Sequence, residues 1–214
     1  MKVAKKGVST VCALKTYALV PFLFAFLFLP FCVNATPIDI DIHNTTTISS
    51  GEYGTVNIYD TPPNQTIVAM TGGDISYGNV YNTAILNCYG GELFFPRIYD
   101  NAIVTIYNID YIASVELHGN GQLHIYDGGS ASSVSIQIFD NAELHVYGYG
   151  FVYNPSVTGT NAISGFWGNG ERFTLGLRQP SNYDPYTQVI LHEIPEPTTF
   201  LLMSVVALYL RKTR

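Results

Sequence analysis

Between Thr36 and Ile194 the chain has no lysine, and its only basic side chains besides histidine are Arg97, Arg172 and Arg178. Fifteen carboxylates share that stretch, which gives it a formal net charge of −12. Such a surface repels phosphate backbones and anionic headgroups, which excludes nucleic-acid partners. Cysteine is nearly as scarce. Of three, Cys12 and Cys32 fall near the N-terminus, leaving Cys88 alone in the body. One thiol cannot close an intramolecular disulfide, and no second cysteine or histidine stands near it at metal-ligand spacing. Cys88 therefore reads as a small core residue, and neither metal nor cofactor is expected. Long apolar runs are missing too, except at the two ends.

The N-terminal end carries Lys2, Lys5, Lys6 and Lys15, then an apolar run from Ala18 to Val33, then Asn34 and Ala35. A basic segment, an apolar segment and a small residue at the exit make a signal peptide over residues 1–35, with Ala35 the last residue removed. The competing reading is an uncleaved anchor. A run of sixteen residues broken by Pro21 and Pro30 makes a poor membrane span, so export is expected.

What the body does have is repetition. One phrase is written three times, as YDNAIVTIYN (99–108), HGNGQLHIYD (118–127) and FDNAELHVYG (139–148). A return every 19 to 21 residues is the mark of a solenoid. Two apolar columns follow from it: Met70, Cys88, Ile106, Ile125, Val146, and two residues earlier Val68, Leu86, Val104, Leu123, Leu144. Residues two apart in a strand share a face, so all ten point inward and stack turn upon turn. A second strand per turn supplies Val80, Ile98, Leu117 and Ile138, partly doubled by Val115 and Ile136. The corner between the two strands has constant length, and Asn101, Asn120 and Asn141 hold one position in it. Asparagine tolerates left-handed backbone angles and its amide bonds its own kind, so these three predict an asparagine ladder.

These features predict an all-β chain: a single-stranded parallel β-solenoid of about five to six coils over residues 36–179, flanked by an N-terminal signal helix and a C-terminal membrane helix. An irregular β-sandwich is the alternative, but hairpin sheets do not require equivalent residues at a fixed period. At the N-terminal side, 36–50 reads as a strand capping the first coil, and the segment from Ile58 to Met70 as a partial or distorted one. At the other side, Trp167–Leu175 resembles His118–Ile125 and reads as the last coil. Residues 180–194 read as a linker.

The final twenty residues hold the triplet Pro195, Glu196, Pro197, an apolar run from Phe200 to Leu210, and a basic end with Arg211, Lys212 and Arg214. The run is short for a helix crossing about 30 Å of hydrocarbon, and the basic end favours a cytoplasmic terminus. This tripartite tail resembles the PEP-CTERM sorting tails of exported proteins in exopolysaccharide-producing bacteria. The resemblance rests on Ile194, Pro195, Glu196, Pro197, the apolar run and the Arg/Lys end; it departs from the family in having Leu, Val and Met where Gly and Ala are usual. It implies processing by the membrane enzyme exosortase, a place in the cell envelope held by the C-terminal segment, and then release to the cell surface or extracellular matrix in the company of exopolysaccharide.

Four constellations in the body invite a chemical reading. Asp100 and Asp140 share one corner column, as paired carboxylates do in sugar-cleaving β-helices, but Gly119 interrupts them and turn aspartates bond their own backbone. His124 and His145 fall on adjacent coils in an outward column with Asn57, Asn87 and Thr105; without a third ligand they read as a polar ladder. Tyr89, Tyr107, Tyr126 and Tyr147 form one aromatic column, and Tyr81, Tyr99, His118 and Phe139 another. Either these rings only pack the coils together, or the first column is a stacking platform for sugar rings. Arg97 and Glu116, with Gln137 next in line, predict an exposed ion pair. The expectation is a non-enzymatic surface or matrix protein of structural or adhesive type. A carbohydrate-active β-helix enzyme, a lyase or hydrolase of the same matrix, is the alternative.

Overall fold

The computed structural model describes residues 36–127, 134–154, 160–178 and 185–196. The described residues are all-β, with stacked parallel strands that make a solenoid of about five turns. The predicted helices at the two termini, with Ala35 and Pro197, lie outside them.

Two faces account for most of the strands. On the first, β1 (Ile38–Ile42) lies beside β3 (Glu52–Ile58), then the second half of β4 (Ile67–Val80) and of β5 (Ile85–Ile98). The face continues with β8 (Ser114–Leu117), β10 (Val134–Ile138) and β13 (Arg172–Arg178). On the second, β2 (Thr46–Ile48) is followed by the first halves of β4 and β5, β6 (Ile103–Ile106), β9 (Gln122–Ile125) and β11 (Glu143–Asn154). The two-residue β7 (Tyr111–Ile112) pairs with the middle of β5 and brings Ile112 beside Leu93.

The apolar columns stack as expected. Met70 pairs with Cys88, Cys88 with Ile106, Ile106 with Ile125 and Ile125 with Val146, all buried. Val80, Ile98, Leu117 and Ile138 are likewise adjacent and buried. Every such pair repeats one environment, so an apolar residue on one turn is covered only if the same position on the next turn is also apolar. That requirement is what made the period legible.

Four expectations need correction. Residues 36–50 cover the end of the stack, but as two strands rather than one, because β1 and β2 occupy the two faces and Ile48 pairs with Met70. The segment from Ile58 to Met70 is not a partial coil: Ile58 pairs with Val80 on the first face, Met70 with Ile48 and Cys88 on the second, and the corner joining β3 to β4, from Tyr59 to Thr66, is longer than the later ones. The phrase at Trp167 is a hairpin turn: β12 (Thr160–Phe166) and β13 run antiparallel, and β13 then sits on the first face, with Leu175 beside Val134 and Leu177 beside Ile136. Trp167 is buried there, stacked 3.9 Å from Phe173. Finally, the expected linker contains a 3-10 turn (Pro185–Gln188) and a strand, β14 (Val189–Glu193), which adds to β11 and extends the apolar columns with Val189 and Leu191.

The corner of constant length also works differently from its prediction. The left-handed residue is the one before each asparagine, Asp100, Gly119 and Asp140 with φ of 57°, 67° and 56°, and on the turn before them Asn82, which precedes Thr83, holds the same place with φ of 61°. Only Asn, Asp and Gly occupy the position, the residues that tolerate that conformation.

Candidate functional site

The corner aspartates are used within the fold. Asp100 Oδ2 accepts the backbone N–H of Asn82 at 3.0 Å, and Asp140 Oδ2 accepts that of Gly119 at 2.9 Å, each reaching back to the preceding turn. Asp60 makes comparable bonds nearer the N-terminus. Burial works against its charge, but hydrogen bonds from the Thr83 hydroxyl and from the amides of Thr66 and Thr83 outweigh that cost and lower its pKa. A carboxylate committed to a backbone amide across a corner is a staple between turns. Of the three asparagines, Asn120 donates from Nδ2 to Asn101 Oδ1 at 3.0 Å, and the Asn141 backbone N–H bonds the Gly119 carbonyl.

Two aromatic ladders flank the second face. At the corner, His43, Tyr59, Tyr81, Tyr99, His118 and Phe139 stack with successive centroids 5.3, 4.7, 4.9, 5.0 and 4.5 Å apart. At the other end of the strands, Tyr89, Tyr107 and Tyr126 stack at 4.8 and 5.2 Å, and Tyr147 follows at 3.9 Å. This spacing is the strand separation of a parallel sheet carried into the side chains. Tyr89, Tyr107 and Tyr126 are 48%, 40% and 39% exposed, so these three rings offer a continuous wet aromatic edge, with Tyr147 half-buried at its end. Burial and the flanking rings push the Tyr107 phenol above its ordinary pKa, and a hydrogen bond to Tyr147 does the same to Tyr126. The hydroxyls therefore stay neutral donors and acceptors.

Sequence reading missed the fifth member of that column. His192, on β14, pairs with Tyr147 and stacks on it at 4.2 Å. Its Nε2 stands 3.0 Å from His145 Nδ1, and the His145 ring in turn lies 4.2 Å from that of His124. Around them, Glu143 Oε2 is 3.3 Å from His145 Nε2, Gln122 donates to Glu143, and the Tyr147 hydroxyl meets His124 Nδ1 at 3.2 Å. Burial, with the charges of His145 and His192, lowers the His124 pKa to about 4, against a partial offset from Glu143. His192 is lowered as well, by burial and by His145. The donor atoms point along the stack rather than at a common centre; among the described residues no group of three or more ligands converges on a metal position. Asn57 is not in the histidine column. It belongs to the first face, where Asn79 Nδ2 donates to Asn57 Oδ1, and Asn57 in turn to Asp41. The alternation of Val189 and Leu191 was the available sign that His192 belonged to a strand.

Arg97 and Glu116 pair as expected, Nε to Oε2 at 3.1 Å, with Gln137 beside Glu116 in register. Sequence reading did not see what surrounds them. Tyr77 and Phe95 stack outward at 5.5 Å, the Arg97 guanidinium lies 5.8 Å from the Tyr77 ring centre, and a cavity of about 220 Å³ opens between Tyr77, Phe95, Pro96, Arg97, Ser114 and Glu116.

Pro195 and Glu196 follow β14 and are exposed; with Tyr149, Gly150, Glu193 and Ile194 they line a shallow cleft of about 430 Å³. Among the described residues no helix is long and apolar enough to cross a membrane. The chain matches no protein-family model, no curated protein and no solved structure.

Proposed function

We propose that this chain is an exported, non-enzymatic protein of the cell surface or extracellular matrix, whose solenoid body presents aromatic edges to polysaccharide. A signal peptide over 1–35 and a C-terminal membrane segment deliver it. A PEP-CTERM-like tail, Pro195, Glu196 and Pro197 followed by the apolar run and basic end, hands it to exosortase. The observation that carries the reading is the column of exposed Tyr89, Tyr107 and Tyr126 with half-buried Tyr147 at its end, stacked at intervals of 3.9 to 5.2 Å on a body without lysine. Such a row presents ring edges and phenol hydroxyls at the strand spacing, which suits the C–H and hydroxyl groups of a polysaccharide lying along it, and an acidic surface favours an uncharged polymer. The enzyme alternative loses its best carboxylates, since Asp100 and Asp140 are each bonded to the amide of the preceding turn.

The test is the intact mass and membrane partitioning of the full chain in a host with exosortase and in the same host lacking it. Loss of the C-terminal tail near residues 195–197 only when the enzyme is present is the expected result. An unprocessed C-terminus with the protein still in the membrane would overturn the sorting reading.

A further inference from the structure

The cavity beside Arg97 lies where a stack of rings stops short. Tyr77 on β4 and Phe95 on β5 are register partners, and their rings form the first two steps of an outward column. On the next turn the chain offers Ala113 and Ser114 instead of a third ring; Ala113 donates its N–H to the Phe94 carbonyl there, and Ser114 lines the cavity. The two ladders of the second face run on for five and six rings, whereas here a gap opens above Phe95. Both rings are open to solvent, Tyr77 at 43% and Phe95 at 40%.

The wall of the gap is an ion pair rather than apolar surface. Arg97 gives its Nε to Glu116 Oε2, and among the described residues its two terminal nitrogens make no hydrogen bond. The wall therefore presents N–H donors from Arg97 next to acceptor oxygens from Glu116, whose Oε2 also lies 3.6 Å from His118 Nε2, and the charges of the Arg97–Glu116 pair offset each other. A ligand that fits must have an apolar face for Phe95 and neighbouring hydroxyls that both donate and accept. The volume of about 220 Å³ is below the ~300 Å³ at which pockets begin to enclose drug-sized ligands, so it takes one ring with the rest of the molecule in solvent. An anionic ring would lie beside the Glu116 carboxylate and approach a body of net charge −12, and both repel it.

The geometry points to a saccharide subsite at Phe95, Arg97, Ser114 and Glu116: one neutral pyranose takes the place of the third ring of the stack, its C–H face on Phe95 and a vicinal diol bridging Arg97 and Glu116. This rests on the reading that the body binds saccharide, but it assigns a site on the first face, away from the tyrosine column. The hydroxyl pair makes two hydrogen bonds to charged partners, which are stronger than neutral ones and directional enough to select the diol geometry.

The test is titration of the purified full chain, in mild detergent, with neutral gluco-, galacto- and mannooligosaccharides and with oligogalacturonate. A neutral series is expected to bind, with little dependence on salt. Ser114→Tyr, which supplies the missing ring and fills the cavity, is expected to weaken that binding about tenfold or more while leaving the melting temperature unchanged or higher. Phe95→Ala and Glu116→Gln are expected to weaken it too. Neutral binding that survives Ser114→Tyr but falls with Tyr107→Leu overturns the subsite and leaves the tyrosine column standing. Preference for oligogalacturonate, suppressed by salt, overturns the neutral assignment. Binding of no saccharide overturns the subsite, and exosortase processing remains a separate outcome.

Discussion

His145 Nδ1 and His192 Nε2 meet at 3.0 Å across neighbouring turns, although 47 residues separate them in the chain. A hydrogen bond between two imidazoles needs one bare nitrogen, and it fails when both rings are protonated. The contact joins the last strand on this face, β14, to β11, next to a His124 ring whose pKa is lowered to about 4.

From this follows an acid-sensitive end. With its folded pKa below the usual 6.5, His124 takes up its proton more readily in the unfolded chain, so stability is complete above pH 6.5 and falls as pH descends toward 4. His192, also lowered, acts in the same direction. After discounting for half-exposure, the effect is on the order of 1–2 kcal/mol. Thermal melts should show a midpoint lower by about 2–6 °C at pH 4.5 than at pH 7.5, with a smaller drop in His124→Gln. Equal midpoints at the two pH values would show that the cluster does not titrate as described.

At the corner, Gly119 is the one member of its column without a side chain. A Cβ there would stand 3.0 Å from the Asp100 carbonyl oxygen in addition to the left-handed penalty. Gly119→Ala should cost about 1–3 kcal/mol, read as a lower urea midpoint at unchanged slope. Asn82→Gly, which suits the same conformation, should stay within about 0.5 kcal/mol of the parent.

Burial pushes the Cys88 thiol up to about 12, so the reactive thiolate is essentially absent at neutral pH. In a Cys12→Ser, Cys32→Ser background, a thiol reagent should leave the native chain unlabelled and add one equivalent in concentrated guanidinium. Rapid labelling of the folded protein would contradict the position of Cys88 in the inner column.

The tyrosine ladder predicts a position-dependent cost. Tyr107 stacks on both Tyr89 and Tyr126, whereas Tyr89 has one ring partner among the described residues. At about 0.5–1.5 kcal/mol per ring pair, Tyr107→Leu should destabilise by about 1–3 kcal/mol and Tyr89→Leu by about half as much. Equal costs in chemical denaturation would mean that the rings act singly rather than as a ladder.

The columns through Val68 and Met70, the fixed corner and the Arg97–Glu116 pair were legible in the residue order. A parallel stack places each residue beside its equivalent one turn later, and burial forces both to share a chemistry, so three-dimensional adjacency becomes a linear period. Where that coupling lapses, the order of residues was silent. It did not tell that the left-handed angle falls on Asp100 and Asp140 rather than on Asn101 and Asn141, because both residue types tolerate it. Nor did it tell that the Trp167 phrase folds as a hairpin, that β14 returns to β11 after the hairpin, or that the ring stack ends above Phe95. Those outcomes turn on contacts between segments that share no period, so only the tertiary structure, by deciding which surfaces remain to be covered, could settle them.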